Sequence, residues 1–146
     1  MSRVFVDTNV IAYARDVRES KKQPIAEKWL MTLFQRRTGR ISWQVLAEYY
    51  AVATHRGKLA VTAELARADV RALAAWRPVL LDVALLDDAF RVQDSYGFSW
   101  WDSLIVTAAL RSQSDLLLSE DFPEGLVVDG QLTIVNPFAA AALPAE

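Results

Sequence analysis

Cysteine is absent from this 146-residue chain, and histidine occurs once, as His55. The first absence excludes disulfides, thiol nucleophiles and zinc–thiolate sites, and the second excludes multi-histidine metal centres. Phosphate-cradling glycine loops are missing too. Arg56-Gly57-Lys58-Leu59 lacks the glycine spacing and the hydroxyl of a G-x-x-x-x-G-K-[ST] motif, and neither G-x-G-x-x-G nor G-x-S-x-G occurs. No apolar run approaches the ~20 residues of a membrane span. The opening Met1-Ser2-Arg3-Val4-Phe5-Val6-Asp7 has neither the basic n-region nor the apolar h-region of a signal peptide, so a cytoplasmic location with no membrane partner is expected.

What is present is a hydrophobic content of 53%, enough for one compact core in a chain too short for two ordinary domains. A single domain over residues 1–138 and a loosely ordered tail over 139–146 are expected. The net charge of −2 hides an asymmetry: residues 1–58 carry 11 Lys/Arg against 5 Asp/Glu, and residues 59–146 carry 5 against 13. That distribution fits a basic surface for a polyanion beside an acidic site that a cation could neutralise, and equally two differently solvated surfaces.

Hydrophobic periodicity predicts alternating strands and helices. Arg3 to Val6 reads as a strand, followed by a helix over Val10 to Arg15. A second helix is predicted from Pro24 to Arg37, with Gly39 stopping it. Arg40-Ile41-Ser42 reads as a short strand, Gln44 to Thr54 and Thr62 to Trp76 as helices, and Pro78 to Asp82 as a buried strand. Leu85 to Tyr96 reads as a helix closed by Gly97, and Ser99 to Ser112 as a strongly apolar helix. Asp115 to Leu118 completes the buried strands, and Leu126 to Val135 reads as a hairpin around Asp129-Gly130. Parallel strands need helical crossovers, so the pattern implies an α/β fold whose mainly parallel central sheet is flanked by helices on both faces.

In such a sheet, ligands gather beyond the carboxyl ends of the strands. Asp7 follows the first strand directly, serving a site there or capping the next helix. Asp121 follows the Asp115–Leu118 strand closely and is either functional or a solvated turn acid. Asp102 shares a helix face with Ile105, Val106 and Ala109, where an unpaired charge costs several kcal/mol unless it finds a partner or a metal. A capping box with Ser99 is the alternative. Glu48 lies at the margin of an apolar stripe, where it reaches a cleft or remains an ordinary surface residue. Asp87, Asp88 and Asp94 read as one solvated helix face, and Glu64 and Asp69 as another. Hard oxygen donors without histidine or cysteine point to Mg²⁺ or Mn²⁺.

Taken in order, Val4-Phe5-Val6-Asp7-Thr8-Asn9-Val10, Ser42-Trp43-Gln44-Val45-Leu46-Ala47-Glu48, Ser99-Trp100-Trp101-Asp102-Ser103-Leu104-Ile105 and Leu117-Leu118-Ser119-Glu120-Asp121-Phe122 resemble the four acid-bearing segments of PIN-domain ribonucleases. Val127-Val128-Asp129-Gly130 through Ile134-Val135-Asn136-Pro137-Phe138 is similar to the closing strand of VapC-type toxins. The resemblance implies that Asp7, Glu48, Asp102 and Asp121 bind one or two Mg²⁺ or Mn²⁺ ions and hydrolyse RNA. Glu120 and Glu124 crowd the fourth position. Thr8, Asn9 and Ser119 would support the acids or orient phosphate. Arg15, Arg18, Lys21, Lys22, Arg56 and Lys58 are candidates for the RNA backbone. The resemblance further implies a homodimer and a cognate VapB-like antitoxin. Two rival readings are a catalytically silent PIN fold that binds RNA or protein, and a D-x-D aspartyl-nucleophile phosphatase. The second fails because Asp7-Thr8-Asn9 lacks the second Asp.

Overall fold

The computed structural model describes residues 2–55, 59 and 61–139. Among them the order of elements is β1 (Val4–Val6), α1 (Thr8–Ala14), α2 (Lys22–Arg36), β2 (Gly39–Arg40), α3 (Trp43–Thr54), α4 (Ala63–Leu73), a 3₁₀ turn (Ala74–Trp76), α5 (Val83–Tyr96), α6 (Trp100–Arg111), β3 (Leu116–Leu118), β4 (Val127–Val128) and β5 (Leu132–Val135). The strands form one sheet in the order β2-β1-β3-β5-β4, parallel except for the β4–β5 hairpin. The chain is thus the expected α/β fold.

Successive strand residues point to opposite faces, and Val4, Phe5 and Val6 are all buried, so both faces of β1 are covered. One layer is built by α1 to α4 packed on one another, and α5 and α6 pack together as a second group. β1 and β3 run side by side in the sheet, with Val6 opposite Leu118. Their carboxyl ends therefore deliver Asp7 and the Ser119–Asp121 turn to the same place.

Helix starts follow side-chain caps. Asp7, Ser42, Thr62, Asp82 and Ser99 each accept a backbone N–H in the first turn of the helix that follows. α1 accordingly begins at Thr8, before the predicted Val10, and α6 begins after Ser99. Gly97 ends α5 in the left-handed conformation, as its position predicts. Asp129 and Gly130 both take positive φ at the hairpin turn.

Four expectations are corrected. Pro78 to Asp82 is not a buried strand: Val79 makes a single bridge to Ser42, and Leu80 and Leu81 are 70% and 48% exposed. Pro78 has no N–H to give a ladder, and the run ends where Asp82 turns to cap α5. The strand predicted over Arg40 to Ser42 is shifted to Gly39–Arg40 because Ser42 caps α3. Gly39 does not stop α2. Arg37 does so, at φ 57°, returning N–H groups to the last turn. Gly39 lies instead within β2, where an added Cβ would come 2.6 Å from the Trp76 ring. Finally, the helix expected over Thr62 to Trp76 narrows into a 3₁₀ turn after Leu73, seating that indole against the strand.

Residues 140–146, most of the expected tail, lie outside the described residues. Phe138 meets the Tyr13 ring edge-on, with centroids 5.0 Å apart.

Candidate active site

Asp7 sits at the carboxyl end of β1, its N–H donating to the Leu118 carbonyl. Only 6% of its surface is accessible. One carboxylate oxygen accepts from the Thr8 N–H at 2.7 Å and the other from the Ser119 hydroxyl at 2.8 Å. Burial raises its pKa from 3.8 to about 6; the Ser119 and Thr8 hydrogen bonds oppose the shift, and the charges of Asp121 and Glu48 add to it. Capping and a poised carboxylate are thus combined in one side chain.

Ser119, wholly buried, is the junction of the site. Its hydroxyl donates to Asp7 and accepts from the Asp121 N–H at 3.1 Å and from Asn9 Nδ2 at 3.2 Å. The same Asn9 amide donates to the Asp121 carboxylate at 3.0 Å. Across the cleft, Glu48 on α3 accepts from the Thr8 hydroxyl at 2.9 Å. Asp102 stands in the first turn of α6, where Ser99 accepts its N–H at 3.2 Å. Burial pushes the Asp102 carboxyl upward, against the Ser99 hydrogen bond and with the Asp121 charge. Ser99 thus caps α6 through the Asp102 N–H, and that cap coexists with a place for the Asp102 side chain in the cleft.

All four acids, with Thr8 and Asn9, line one cleft of about 520 Å³. Ala12, Ala51, Val52 and Ile105 give it an apolar wall. Glu120 and Glu124 are engaged elsewhere: Glu120 pairs with Lys22 at 2.9 Å and accepts from the Tyr13 hydroxyl, and Glu124 accepts from the Asn136 N–H. Asp121 is the acid of that turn that faces the cleft.

The basic candidates divide. Arg18 lines the cleft, ion-paired with Asp16 at 2.9 Å. Arg15 is turned away, forming a two-pronged pair with Asp69 at 2.9 and 2.6 Å in a separate cavity. Asp69 also accepts from the Tyr49 hydroxyl, and is not the solvated residue its helix position suggests. Lys22 is held between Glu120 and the Tyr13 ring. Lys21 is exposed, and Arg56 and Lys58 lie outside the described residues.

Two lining residues escaped the sequence reading. Gln44 is buried and its amide reaches both Glu48 and the Trp101 carbonyl, at 3.5 and 3.3 Å. Its spacing of four from Glu48 on one helix is the signal that could have found it. Trp101, 58% exposed, lines the same cleft.

The donor set fits a hard divalent cation. It consists of four carboxylates, two of which, Asp7 and Asp102, have a raised pKa, and the buried Asn9 Oδ1 nearby has no hydrogen-bond partner among the described residues. Among the described residues no three acids already stand as a ready-made ligand set; Thr8, Asn9, Ser119 and Gln44 donate hydrogen bonds to three of the four carboxylates. No described helix is long and apolar enough to cross a membrane.

A search of curated proteins returns no match. The family model described as PIN domain matches residues 4–122, from the first residue of β1 to the residue after Asp121, and so spans every candidate acid. Such domains are generally nucleases that use divalent metal ions. With the match covering most of its length, this chain belongs to the PIN domain family.

Proposed function

We propose that the protein is a Mg²⁺- or Mn²⁺-dependent endoribonuclease with Asp7, Glu48, Asp102 and Asp121 as its catalytic and metal-holding acids. The observation that carries this reading is the meeting of four carboxylates from four separate elements in one cleft, with Asp7 held near 6 by burial and by its acidic neighbours. Packing like charges together costs free energy that a structural role does not recover, whereas a cation repays it. A divalent ion bound there supplies Lewis acidity toward phosphodiester oxygens and makes a water more acidic for in-line attack.

The chain's own residues prepare this chemistry. Ser119 and Thr8 fix both oxygens of Asp7, and Asn9 and the Ser119 hydroxyl set the Asp121 turn. Thr8 and Gln44 orient Glu48. These three supporting residues, Thr8, Asn9 and Ser119, keep acids of one sign from swinging apart. Trp101 offers an exposed ring on which an unpaired base can stack. For the RNA backbone, Arg18 and Lys21 stand as the better candidates: Arg18, although paired with Asp16, lines the cleft and Lys21 is exposed, whereas Arg15 and Lys22 pair with Asp69 and Glu120 and do not line it.

The four motif segments and the closing β4–β5 hairpin further support the role of a VapC-type toxin, acting in the cytoplasm as a homodimer and silenced by a VapB-like antitoxin. Light scattering that returns a monomer, or an adjacent reading frame that fails to neutralise toxicity, would count against this part of the proposal.

The central test is cleavage of a total-RNA pool by the purified protein with Mg²⁺ or Mn²⁺, with EDTA, and with folded Asp7→Asn and Asp102→Asn variants. Discrete cuts that need metal and vanish in both variants support the nuclease. Cleavage indifferent to EDTA overturns the metal mechanism, and RNA binding without cleavage replaces it with a silent binding module.

A further inference from the structure

A second cavity lies at the opposite end of β1 from the acids. About 390 Å³ in volume, it is lined by Arg3, Arg40, Arg77 and Arg111, with Asp82 as its one carboxylate. Arg3 precedes β1, and Arg111 occupies the last turn of α6, the helix whose first turn holds Asp102. At ~1.5 Å per residue, those two turns are separated by roughly 14 Å along the helix axis.

The four guanidinium groups are unequally satisfied. Arg111 pairs with Asp82 at 2.9 Å and with Asp88 at 3.2 Å. Arg3 donates to two neutral acceptors, the Ser112 carbonyl and the Gln113 side chain. Arg40 keeps only 9% of its accessible surface, yet among the described residues its side chain donates only to the carbonyls of Gly39 and Arg37. Burial, then the charges of Arg3 and Arg77, disfavour its charged form. Arginine does not escape such strain by losing its proton at physiological pH. Arg77 is exposed at the cavity and, among the described residues, no hydrogen bond or ion pair engages its side chain.

A buried cation without a carboxylate, facing two further cations, is destabilising unless an anion completes it. Guanidinium forks match phosphate oxygens in pairs, and the surplus of positive charge suits a multiply charged group over a single carboxylate. The volume leaves room for more than one phosphate, and Leu80, 70% exposed in the lining, offers apolar surface beside it.

We propose that this arginine cavity is a phosphate-binding site, distinct from the acid cleft, in which Arg40 and Arg77 hold a phosphate group of a nucleotide or of a nucleic-acid strand. The site stands whether or not the cleft cleaves RNA.

The test is calorimetric titration of the full chain with inorganic pyrophosphate in EDTA, followed by competition with ATP and with a 5′-phosphorylated RNA oligonucleotide. Saturable binding is expected. Arg77→Gln, an exposed change that leaves the core intact, and Arg40→Gln should each weaken it at least tenfold, while Asp7→Asn leaves it unchanged. A melting curve for each variant separates lost binding from lost folding. Displacement by the oligonucleotide assigns the group to a strand, and displacement by ATP alone assigns it to a free nucleotide. The proposal is overturned if wild type does not bind pyrophosphate, if Arg77→Gln binds as wild type does, or if neither competitor displaces it.

Discussion

The two ends of β1 show opposite ways of storing charge. Beyond its carboxyl end, acids from four elements share a cleft, and neutral side chains donate hydrogen bonds to three of them, Asp7, Glu48 and Asp121. Before its amino end, arginines share a cavity, and among the described residues only the Arg111 side chain has carboxylate partners. Neither arrangement improves folding by itself, because each desolvates like charges side by side. The difference lies in release: Asp7 can take up a proton near pH 6, whereas the arginines cannot give one up. The acid end is therefore tunable by pH and the arginine end only by binding an anion.

The largest expected effect breaks the acid end. Asp7→Asn and Asp102→Asn should each lower RNA cleavage on the order of 10²–10⁴-fold, measured as initial rates at saturating Mg²⁺. Circular dichroism should show both variants folded.

Next comes stability, with the opposite sign. Folded Asp7 keeps its proton up to about 6, whereas an unfolded chain releases it near 3.8, so the folded state holds more protons between those values. Stability then falls as pH rises through that window and stays lower above it. Asp7→Asn cannot ionise, and should be more stable than wild type at pH 7.5 in EDTA by about 2–3 kcal/mol as an upper bound. The gain should disappear by pH 3.5. A variant less stable than wild type at pH 7.5 by urea unfolding would show that hydrogen bonds to Asp7 outweigh its burial cost.

At the other end, Gly39→Ala drives a methyl group into the Trp76 ring beside Arg77 and should cost about 1–3 kcal/mol in thermal or urea unfolding. Ser99→Ala removes the cap of α6 and should cost about 1 kcal/mol. It should also reduce cleavage by loosening the turn that holds Asp102, an effect absent at Gly39. The smallest effect belongs to Lys22→Gln: its pair with Glu120 is partly solvated and should contribute below about 1 kcal/mol to stability.

These two ends were not equally legible in the sequence. The acid end announces itself locally, because Asp7, Asp102 and Asp121 lie just beyond strands or on an apolar helix face, where a short window shows the conflict between charge and burial. Glu48 needed the family pattern, since a helix-margin acid carries no such conflict. The turning away of Glu120 and Glu124 depends on Lys22, Tyr13 and Asn136, distant in sequence, and could not be read from their crowding beside Asp121. The arginine end left no trace in any window. Its members are separated by long stretches of chain, and Arg77 follows a 3₁₀ turn that helical periodicity smooths over. The neighbouring run Pro78 to Asp82 misleads for a related reason. Its apolar residues look like core, but Val79 makes only an isolated bridge to Ser42, beyond the end of β2, and Leu80 is left at the cavity.

α6 carries a carboxylate in its first turn and a guanidinium in its last. The aligned peptide dipoles of a helix place partial positive charge at its start and partial negative charge at its end, favouring Asp102 and Arg111 by roughly 0.3–1 kcal/mol each. The backbone of this one element thus sets, at each end of the domain, a partial charge opposite to that of the side chain it carries there. Exchanging the two side chains would reverse them against a field that no surface substitution can remove, so the polarity of the domain is written into the direction in which α6 runs.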